Sequence, residues 1–231
     1  MTKTALLFLP GLLCDAALYR AQIDGLADVA DGMVADLTQD DSVAGMAARA
    51  LKAAPSTFAL CALSMGGYVA LELMRQAPER VERLALLDTS AKPDSEEKKA
   101  RRRALMDLAE RGRFKGVTPQ LLPTLVAPAH RKGPVADEVL AMAERVGKDA
   151  FLRQQTAIMN RPDSRPTLTH IAVPTLIGVG AEDAITPLPE AEEMHELVTG
   201  SKLKVFKGSG HLPTLEAPEA VTAALRRWLT P

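Results

Sequence analysis

Aromatic residues are scarce in this sequence: five phenylalanines, two tyrosines and one tryptophan occur among 231 residues. So few rings leave little material for the platforms on which nucleic-acid bases stack. The charges also nearly cancel, with 28 lysines and arginines against 29 aspartates and glutamates. No global positive field therefore gathers phosphates or anionic lipid, and we expect neither nucleic acid nor a membrane as partner.

Cysteines and long hydrophobic runs are also few. Cys14 and Cys61 are too few for a disulfide framework and are not spaced as metal ligands, so a reducing cytoplasm is the default expectation. No apolar run approaches the roughly 20 residues of a membrane span. The apolar residues 5–9 are followed directly by Pro10 and Gly11, and no A-x-A cleavage site follows, so we interpret this stretch as a first strand and not as a leader.

The remaining composition, 47% hydrophobic and 25% charged, is that of an ordinary globular protein. Short apolar runs alternate with amphipathic stretches, which indicates a mostly parallel, doubly wound sheet with helices on both faces. The predicted strands are residues 4–9, 33–36, 57–63, 83–87, 175–179 and 203–206. The predicted helices outside the middle of the chain are residues 16–26, 43–53, 65–75, 188–198 and 218–229.

The middle of the chain breaks this alternation, because residues 92–169 contain no predicted strand. Helical patterns cover residues 96–111, 119–126 and 135–159, the last with a break at Gly147. We therefore predict a core of residues 1–91 and 170–231 with a helical insertion of residues 92–169. Ligands of such sheets bind outside the carboxyl ends of the strands, so the insertion leaves and returns over that edge and is placed to be a lid.

Ser64 is the candidate nucleophile. It follows the strand at residues 57–63 and precedes Met65, Gly66, Gly67 and a predicted helix. This strand–turn–helix context is typical of a nucleophile elbow with the pattern G-x-S-x-G, in which Ala62 replaces the first glycine. A helix-capping serine beside glycines that allow close packing is the alternative interpretation.

A serine nucleophile needs a base, and four histidines are available. His195 lies on a polar predicted helix, His130 lies beside Arg131 and Lys132, and His170 lies at a loop end. His211 directly follows the last strand on a glycine-rich loop, which makes it the candidate base. The alternative is an ordinary turn histidine.

The base needs an orienting acid, and two aspartates qualify. Asp183 lies just beyond the strand at residues 175–179, and Asp88 ends the preceding strand. We assign the role to Asp183 and expect Asp88 to bond the amides of Thr89 and Ser90. Either aspartate could instead be a simple capping residue. The chain order Ser64, Asp183, His211 is that of the α/β-hydrolases.

An acyl-transfer site also needs donors for the oxyanion. The Met65 amide follows the nucleophile at a helix N-terminus, and Gly11 lets the chain turn so that the Leu12 amide points inward. An ordinary strand–helix turn is the alternative for the Leu12 loop.

Together these segments resemble the successive landmarks of the α/β-hydrolase superfamily, most closely its small, lidded bacterial carboxylesterase and methyl-esterase-like members. Two departures are visible: Pro10 stands where many relatives have a histidine that braces the oxyanion loop, and the chain begins at the family's third strand, so a six-stranded parallel sheet is expected. The matching segments are Leu9-Pro10-Gly11-Leu12, Ala62-Leu63-Ser64-Met65-Gly66-Gly67, Pro174-Thr175-Leu176, Gly180-Ala181-Glu182-Asp183, Thr186-Pro187, Gly208-Ser209-Gly210-His211 and Glu216-Ala217-Pro218-Glu219.

The resemblance implies a serine hydrolase that cleaves a small-to-medium carboxylic ester through an acyl-enzyme, without metal or organic cofactor. Its fold does not choose among ester, thioester, lactone, amide and carbon–carbon bond cleavage. A catalytically silent fold that binds a small ligand is the alternative from another class. We expect a monomer or homodimer.

Arginines and lysines of residues 98–103 suit either an anionic acyl carrier or, as we prefer, a solvated helix face. Apolar residues of the lid are candidate pocket residues: Leu105, Met106, Leu121, Leu122, Leu125, Met142, Phe151, Ile158 and Met159.

Overall fold

Six parallel strands form one sheet in the computed structural model of the chain, which describes residues 3–118 and 120–230. Their spatial order is β2-β1-β3-β4-β5-β6, and every neighbouring pair is parallel, which confirms the predicted sheet. The strands are β1 (Thr4–Leu9), β2 (Ala30–Val34), β3 (Phe58–Leu63), β4 (Val81–Leu87), β5 (Thr175–Gly180) and β6 (Lys202–Phe206).

Helices cover both faces of the sheet because alternate strand residues point to opposite sides. In β1, Leu7 and Leu9 belong to one buried cluster, and Leu6 and Phe8 belong to the other. Each fully buried side chain of this size contributes about 1.5–3 kcal/mol to folding. The helices packed with the first cluster are α2 (Val43–Ala53), α3 (Met65–Gln76) and α8 (Leu188–Leu197), and those packed with the second are α1 (Arg20–Leu26) and α10 (Pro218–Leu229).

Two strands differ from their predicted extents by more than one residue. β2 is an edge strand paired only with β1, and this pairing places it at Ala30–Val34, earlier than the predicted residues 33–36. β4 begins at Val81, although Glu82 and Arg83 interrupt the apolar pattern. The Arg83 guanidinium donates to the Trp228 carbonyl at 2.9 Å, so the strand accommodates this charge. Tertiary pairing, and not local pattern, sets both boundaries.

The segment between β4 and β5 is helical, and its described residues contain no strand. Gly147 is non-helical, with φ 76° and ψ 177°, at the predicted break in the long helix. The predicted helix at 119–126 is reduced to four residues, and its first predicted residue, Pro119, lies outside the described residues. We call residues 92–169 the inserted segment. Its helices are α4 (Glu96–Leu108), α5 (Leu122–Leu125), α6 (Pro134–Met159) and α7 (Arg165–Leu168).

The parallel register aligns the carboxyl ends of the central strands. Leu63 pairs with Leu87, Leu87 with Gly178, and Gly180 with Phe206. The loops that follow β1, β3, β4, β5 and β6 therefore meet along one edge of the sheet. One of them contains a further short helix, α9 (Pro213–Glu216), which was not predicted. Among the described residues, no helix combines the length and the apolar character needed to span a bilayer.

Candidate active site

Ser64 lies in the sharp turn between β3 and α3. Its backbone has φ 54° and ψ −116°, a region that L-residues rarely adopt and that marks stored local strain. Gly66 is required here, because an added Cβ would overlap the Leu9 carbonyl oxygen, and a Cβ at Gly67 would overlap the Thr89 side chain. The small residues thus let the turn approach β1 and the loop after β4, as the nucleophile-elbow pattern predicts.

His211 and Asp183 form a hydrogen-bonded chain with Ser64. The His211 Nε2 atom lies 2.8 Å from Ser64 Oγ, and its Nδ1 atom lies 2.9 Å from Asp183 Oδ2. His211 is only 3% exposed, so solvent does not compete strongly for either ring nitrogen. The two bonds fix the ring orientation and assign Nδ1–H as the donor to Asp183. The structure therefore brings together three residues that lie far apart in the sequence.

The Asp183 carboxylate is held by its own loop. The Ile185 amide donates to Oδ1 at 2.8 Å, and the Thr186 hydroxyl donates to Oδ2 at 2.7 Å. Burial opposes ionisation of Asp183, but the His211 charge and these hydrogen bonds outweigh burial and hold its pKa below the ordinary value. Asp183 is consequently a carboxylate suited to stabilising a positive imidazole.

Asp88 lies beside this chain, but its surroundings shift its pKa in the opposite direction. Its Oδ1 atom accepts a hydrogen bond from the Gly180 amide at 2.7 Å, and not from the expected amides of Thr89 and Ser90. Burial, followed by the nearby Asp183 charge, raises the Asp88 pKa well above its usual value. The Gly180 amide lowers the Asp88 pKa only partly, so the surroundings of Asp88 disfavour its charge, whereas those of Asp183 favour it.

Leu12, in the loop after β1, lines the same cavity as Ser64. The Met65 amide lies in the first turn of α3, where intrahelical acceptors are missing. Among the hydrogen bonds of the described residues, neither amide has an acceptor. Neither expected oxyanion donor is therefore occupied by an acceptor from the described residues.

Gln154 is a residue at this loop that sequence reasoning missed. Its Oε1 atom accepts from the Leu13 amide at 3.1 Å, and its Nε2 atom donates to the Leu37 carbonyl at 3.2 Å. Leu13 has a positive φ of 59°, so this bond holds a strained backbone next to the Leu12 amide. Gln154 thus braces the loop whose family histidine is replaced by Pro10. No local signal in the sequence marks it.

Glu216 is a second residue without an assigned role in the sequence analysis, although it lies in one of the matching segments. Its buried carboxylate accepts from the amides of Gly210 at 2.9 Å and Leu212 at 3.0 Å, on either side of His211. It also accepts from the Ala127 amide at 2.7 Å. One carboxylate therefore ties the histidine loop to the inserted segment.

A cavity of about 520 Å³ opens at Ser64 and His211. Most of its lining residues are apolar, and the inserted segment supplies many of them. Five of the candidate pocket residues line it: Leu105, Leu121, Leu125, Phe151 and Ile158. Leu122 and Met142 instead pack in the buried cluster on the sheet. The large hydrophobic residues that are notably exposed in the described part of the chain are Leu105, Leu108, Leu121 and Ile185, and all of them line this cavity.

Three side chains lie close enough to hold a metal ion, since ligand atoms of Asp88, Asp183 and His211 lie within 4.8 Å of one another. Both ring nitrogens of His211 are, however, engaged with Ser64 and Asp183. Burial also raises the pKa of Asp88, which opposes the deprotonation that a metal ligand needs. These groups fit a proton-transfer chain better than a cation site.

The fold and the comparison with known families agree. The sequence model of the Alpha/beta hydrolase family matches residues 9–224, and the chain belongs to this family. Among curated proteins, the chain is similar to a pimeloyl-[acyl-carrier protein] methyl ester esterase of Neisseria meningitidis, with 30% identity over 168 residues, 71% of this chain and 65% of that protein. It is also 27% identical over 173 residues to 3-oxoadipate enol-lactonase 2 of Acinetobacter baylyi, which covers 71% of this chain and 61% of the lactonase.

Solved structures show the same similarity. A thermophilic esterase from Thermogutta terrifontis, determined with malate bound, superposes with a TM-score of 0.89 at 30% identity, covering 99% of this chain and 90% of the esterase. The enol-lactonase of Burkholderia xenovorans LB400 superposes with a TM-score of 0.85 at 20% identity, covering 100% of this chain and 93% of that one, and so shares the fold. The chain's relatives thus include esterases.

Proposed function

We propose that the chain is a serine hydrolase that cleaves a carboxylic ester through an acyl-enzyme. The single observation that carries this proposal is the hydrogen-bonded chain from Ser64 Oγ through both ring nitrogens of His211 to Asp183. This chain opens into a cavity large enough for a small or medium ester. The esterase relatives support ester cleavage.

In the first half-reaction, Ser64 Oγ attacks the ester carbonyl carbon while His211 Nε2 takes the hydroxyl proton. The carbonyl π electrons move to oxygen, and the resulting oxyanion accepts from the Leu12 and Met65 amides. Collapse of the intermediate breaks the bond to the alcohol, which leaves with the proton from His211. Asp183 stabilises the imidazolium throughout.

In the second half-reaction, water replaces the alcohol. His211 takes a proton from the water, whose oxygen attacks the acyl-Ser64 carbonyl, and Ser64 then leaves with that proton. The products are one carboxylic acid and one alcohol for each ester and water consumed. Asp88 takes no part in this cycle, because its Oδ1 atom is bonded to the Gly180 amide and His211 Nδ1 is bonded to Asp183 instead.

The inserted segment acts in this proposal as a lid over the catalytic groups, with residues 1–91 and 170–231 as the core. It contributes apolar side chains such as Phe151 and Ile158 to the cavity. Apolar walls exclude water from the acyl-enzyme except for the attacking molecule and favour an aliphatic substrate. Closure of the lid controls the access of substrate and water to the site, and the core residues carry out the chemistry.

Lactone cleavage is the second candidate reaction, because a lactone is a cyclic ester that the same serine chemistry opens, and an enol-lactonase is among the curated relatives. Thioester and carbon–carbon bond cleavage use the same fold and rest on no specific contact in this cavity. Comparing turnover of a γ-lactone with that of an open-chain ester of equal carbon number separates the first two reactions.

The proposal is tested with Ser64→Ala and short-chain p-nitrophenyl esters. We expect kcat to fall by on the order of 10⁴–10⁶ while the thermal unfolding midpoint stays near that of the unaltered protein. Ser56→Ala, a change at an exposed loop serine, is the matched control and should retain activity. Retention of more than about a tenth of the activity in purified Ser64→Ala protein would contradict a serine mechanism.

A further inference from the structure

One wall of the cavity is polar. Arg102 of α4, Gln155 of α6 and Tyr68 of α3 line the same cavity as Ser64, and we call these three residues the polar wall. Arg102 Nη1 donates to Gln155 Oε1 at 2.7 Å, which fixes the two side chains relative to each other. Gln155 is only 1% exposed and Tyr68 only 7%, so bulk water does not supply the hydrogen-bond partners of their polar groups.

The charges behind this wall do not cancel. Asp94 is paired with two arginines: its Oδ2 atom lies 2.5 Å from Arg102 Nε, and its Oδ1 atom lies 2.8 Å from Arg161 Nη1. Burial opposes ionisation of Asp94, but the two guanidinium groups outweigh it and lower its pKa, so the carboxylate stays charged. Two positive charges and one negative charge leave a net charge of one, largely out of contact with water. An uncompensated buried charge is costly, and an anion in the cavity would relieve that cost.

The polar wall also has unused hydrogen-bond donors. Within residues 3–118 and 120–230, no acceptor contacts Arg102 Nη2, Gln155 Nε2 or the Tyr68 hydroxyl. None of these three atoms is among the fully enclosed polar atoms that lack a partner, so each keeps some accessible surface, and all three residues line the cavity. Arg161 stacks over the Tyr68 ring at 4.1 Å and holds that ring in place. A guanidinium fork with an amide and a hydroxyl donor matches the two oxygens of a carboxylate.

We propose that the polar wall binds a carboxylate of the substrate, so that the preferred substrate is an aliphatic ester carrying a second, ionised carboxyl group. The apolar part of the cavity would hold the carbon chain between this carboxylate and the ester at Ser64. The kinetic test of this specificity rests on the proposed ester hydrolysis. The binding test does not, because it depends on the cavity alone. Lys115 also lines the cavity, but it is exposed and supplies only a diffuse positive charge at the rim.

The kinetic test compares esters that differ only in the second carboxyl group. Monomethyl esters of dicarboxylic acids from succinate to suberate are paired with methyl esters of monoacids of equal chain length. Acetyl esters of ω-hydroxy acids and of simple alcohols test the alcohol side in the same way. We expect kcat/KM to favour the anionic member by about 10- to 100-fold at the best chain length, as one charge-assisted contact provides.

Two variants locate the effect. Arg102→Gln removes the charge while Arg161 still pairs with Asp94, and Gln155→Glu places a carboxylate against Arg102 in nearly the same shape. Each should lower the anionic-to-neutral ratio of kcat/KM by about tenfold or more. Arg101→Gln is the matched control, because Arg101 lies on the same helix, is 76% exposed and, among the described residues, forms an ion pair with Glu97 alone. This control should keep the ratio of the unaltered protein.

The binding test uses Ser64→Ala protein and calorimetry with monomethyl adipate and methyl hexanoate, neither of which it should cleave. We expect at least about tenfold tighter binding of the anion, lost when Arg102→Gln is added and kept when Arg101→Gln is added. If the unaltered protein cleaves no ester but this binding pattern holds, the hydrolase proposal fails and the carboxylate site stands. Equal affinity for the two probes, or a preference that Arg102→Gln and Gln155→Glu leave unchanged, would overturn the carboxylate site.

Discussion

The core and the inserted segment face each other across one cavity but position their side chains differently. In the core, Asp183 is held by Ile185 and Thr186, two and three residues further along, and Ser64 is held by the turn that ends β3. In the inserted segment, Arg102 donates to Gln155, 53 positions further along, and both residues line the cavity. Short-range turns thus build the candidate catalytic groups, whereas long-range packing builds the cavity.

Because of this difference, we expect mutations in the two regions to affect catalysis in two different ways. Changes at the ends of the core strands should affect the rate on every ester, because each ester needs the same proton transfers. Changes in the inserted segment should affect which ester is preferred, because many of its side chains line the cavity. Gln154 and Glu216 are exceptions, since they connect the inserted segment to the oxyanion and histidine loops.

The largest contrast is expected between the two buried aspartates. Asp183→Asn should lower kcat by roughly 10²–10⁴, because the amide favours the wrong imidazole tautomer and cannot stabilise the imidazolium. Asp88→Asn should retain most activity, since asparagine resembles a carboxyl group in shape and its Oδ1 can still accept from the Gly180 amide. Steady-state kinetics on one ester checks both. A crippled Asp88→Asn enzyme beside a nearly normal Asp183→Asn enzyme would assign the acid to Asp88 instead.

The same pair differs in how pH acts on stability. Asp88 has a raised pKa in the folded chain, so its contribution is present below the ordinary aspartate pKa and is lost as pH rises toward the raised value. Asp183 has a lowered pKa, so its contribution is lost as pH falls below the ordinary value. Asp88→Asn should therefore reduce the decline in stability between pH 5 and pH 8, by at most about 1.4 kcal/mol per pH unit. Urea unfolding at both pH values measures this difference, and an identical decline in the variant would show that Asp88 is ionised in the folded chain.

Gln154→Leu should have a smaller effect on catalysis. Loss of the bond to the Leu13 amide frees the loop that presents the Leu12 amide, so we expect kcat to fall roughly 10-fold, less than loss of an oxyanion donor itself costs. KM should change little, because Gln154 does not line the cavity. Lys148→Ala, at an exposed position of the same helix, is the control. A rise in KM with unchanged kcat would argue that Gln154 contributes only to substrate binding.

Phe151→Ala tests the role of the inserted segment in specificity. Phe151 lines the cavity and lies against Phe114, with ring centroids 5.2 Å apart. Removing its ring should shift the preference toward longer acyl chains by several-fold in relative kcat/KM, while acetyl ester turnover changes less. A series of p-nitrophenyl esters from acetate to octanoate measures the profile. An unchanged profile in both Phe151→Ala and Ile158→Ala would show that the inserted segment does not determine which ester is preferred.

The smallest effects are expected at the cysteines. Burial raises the pKa of the Cys14 thiol to about 12 and also raises that of Cys61, so neither forms a reactive thiolate at pH 7. Cys14→Ala and Cys61→Ala should both remain active, with losses confined to thermal stability. Esterase assays and unfolding midpoints separate the two outcomes. Lost turnover at unchanged stability would give one of the thiols a part in the reaction.

The sequence predicted the sheet and the core side of the site because both depend on local signals. Glycines beside Ser64 and His211, and the position of these residues just after apolar strands, are visible without a structure. Gln154 and Arg102 carry no such signal, since each is one polar residue on a helix whose rotation is fixed only by packing. Asp88 was misinterpreted for a related reason: its bond to Gly180 crosses to β5, a neighbour that the linear order does not reveal.

The central claim, that Ser64 is activated by His211, is tested most directly by intact mass after exposure to a fluorophosphonate. The account predicts one adduct per chain, mapped to Ser64, and none on Ser64→Ala protein. His211→Gln should slow labelling strongly, because the hydroxyl then lacks its base. Absence of an adduct under conditions that label a control esterase, or an adduct at a residue other than Ser64, would contradict the account and favour a fold that only binds its ligand.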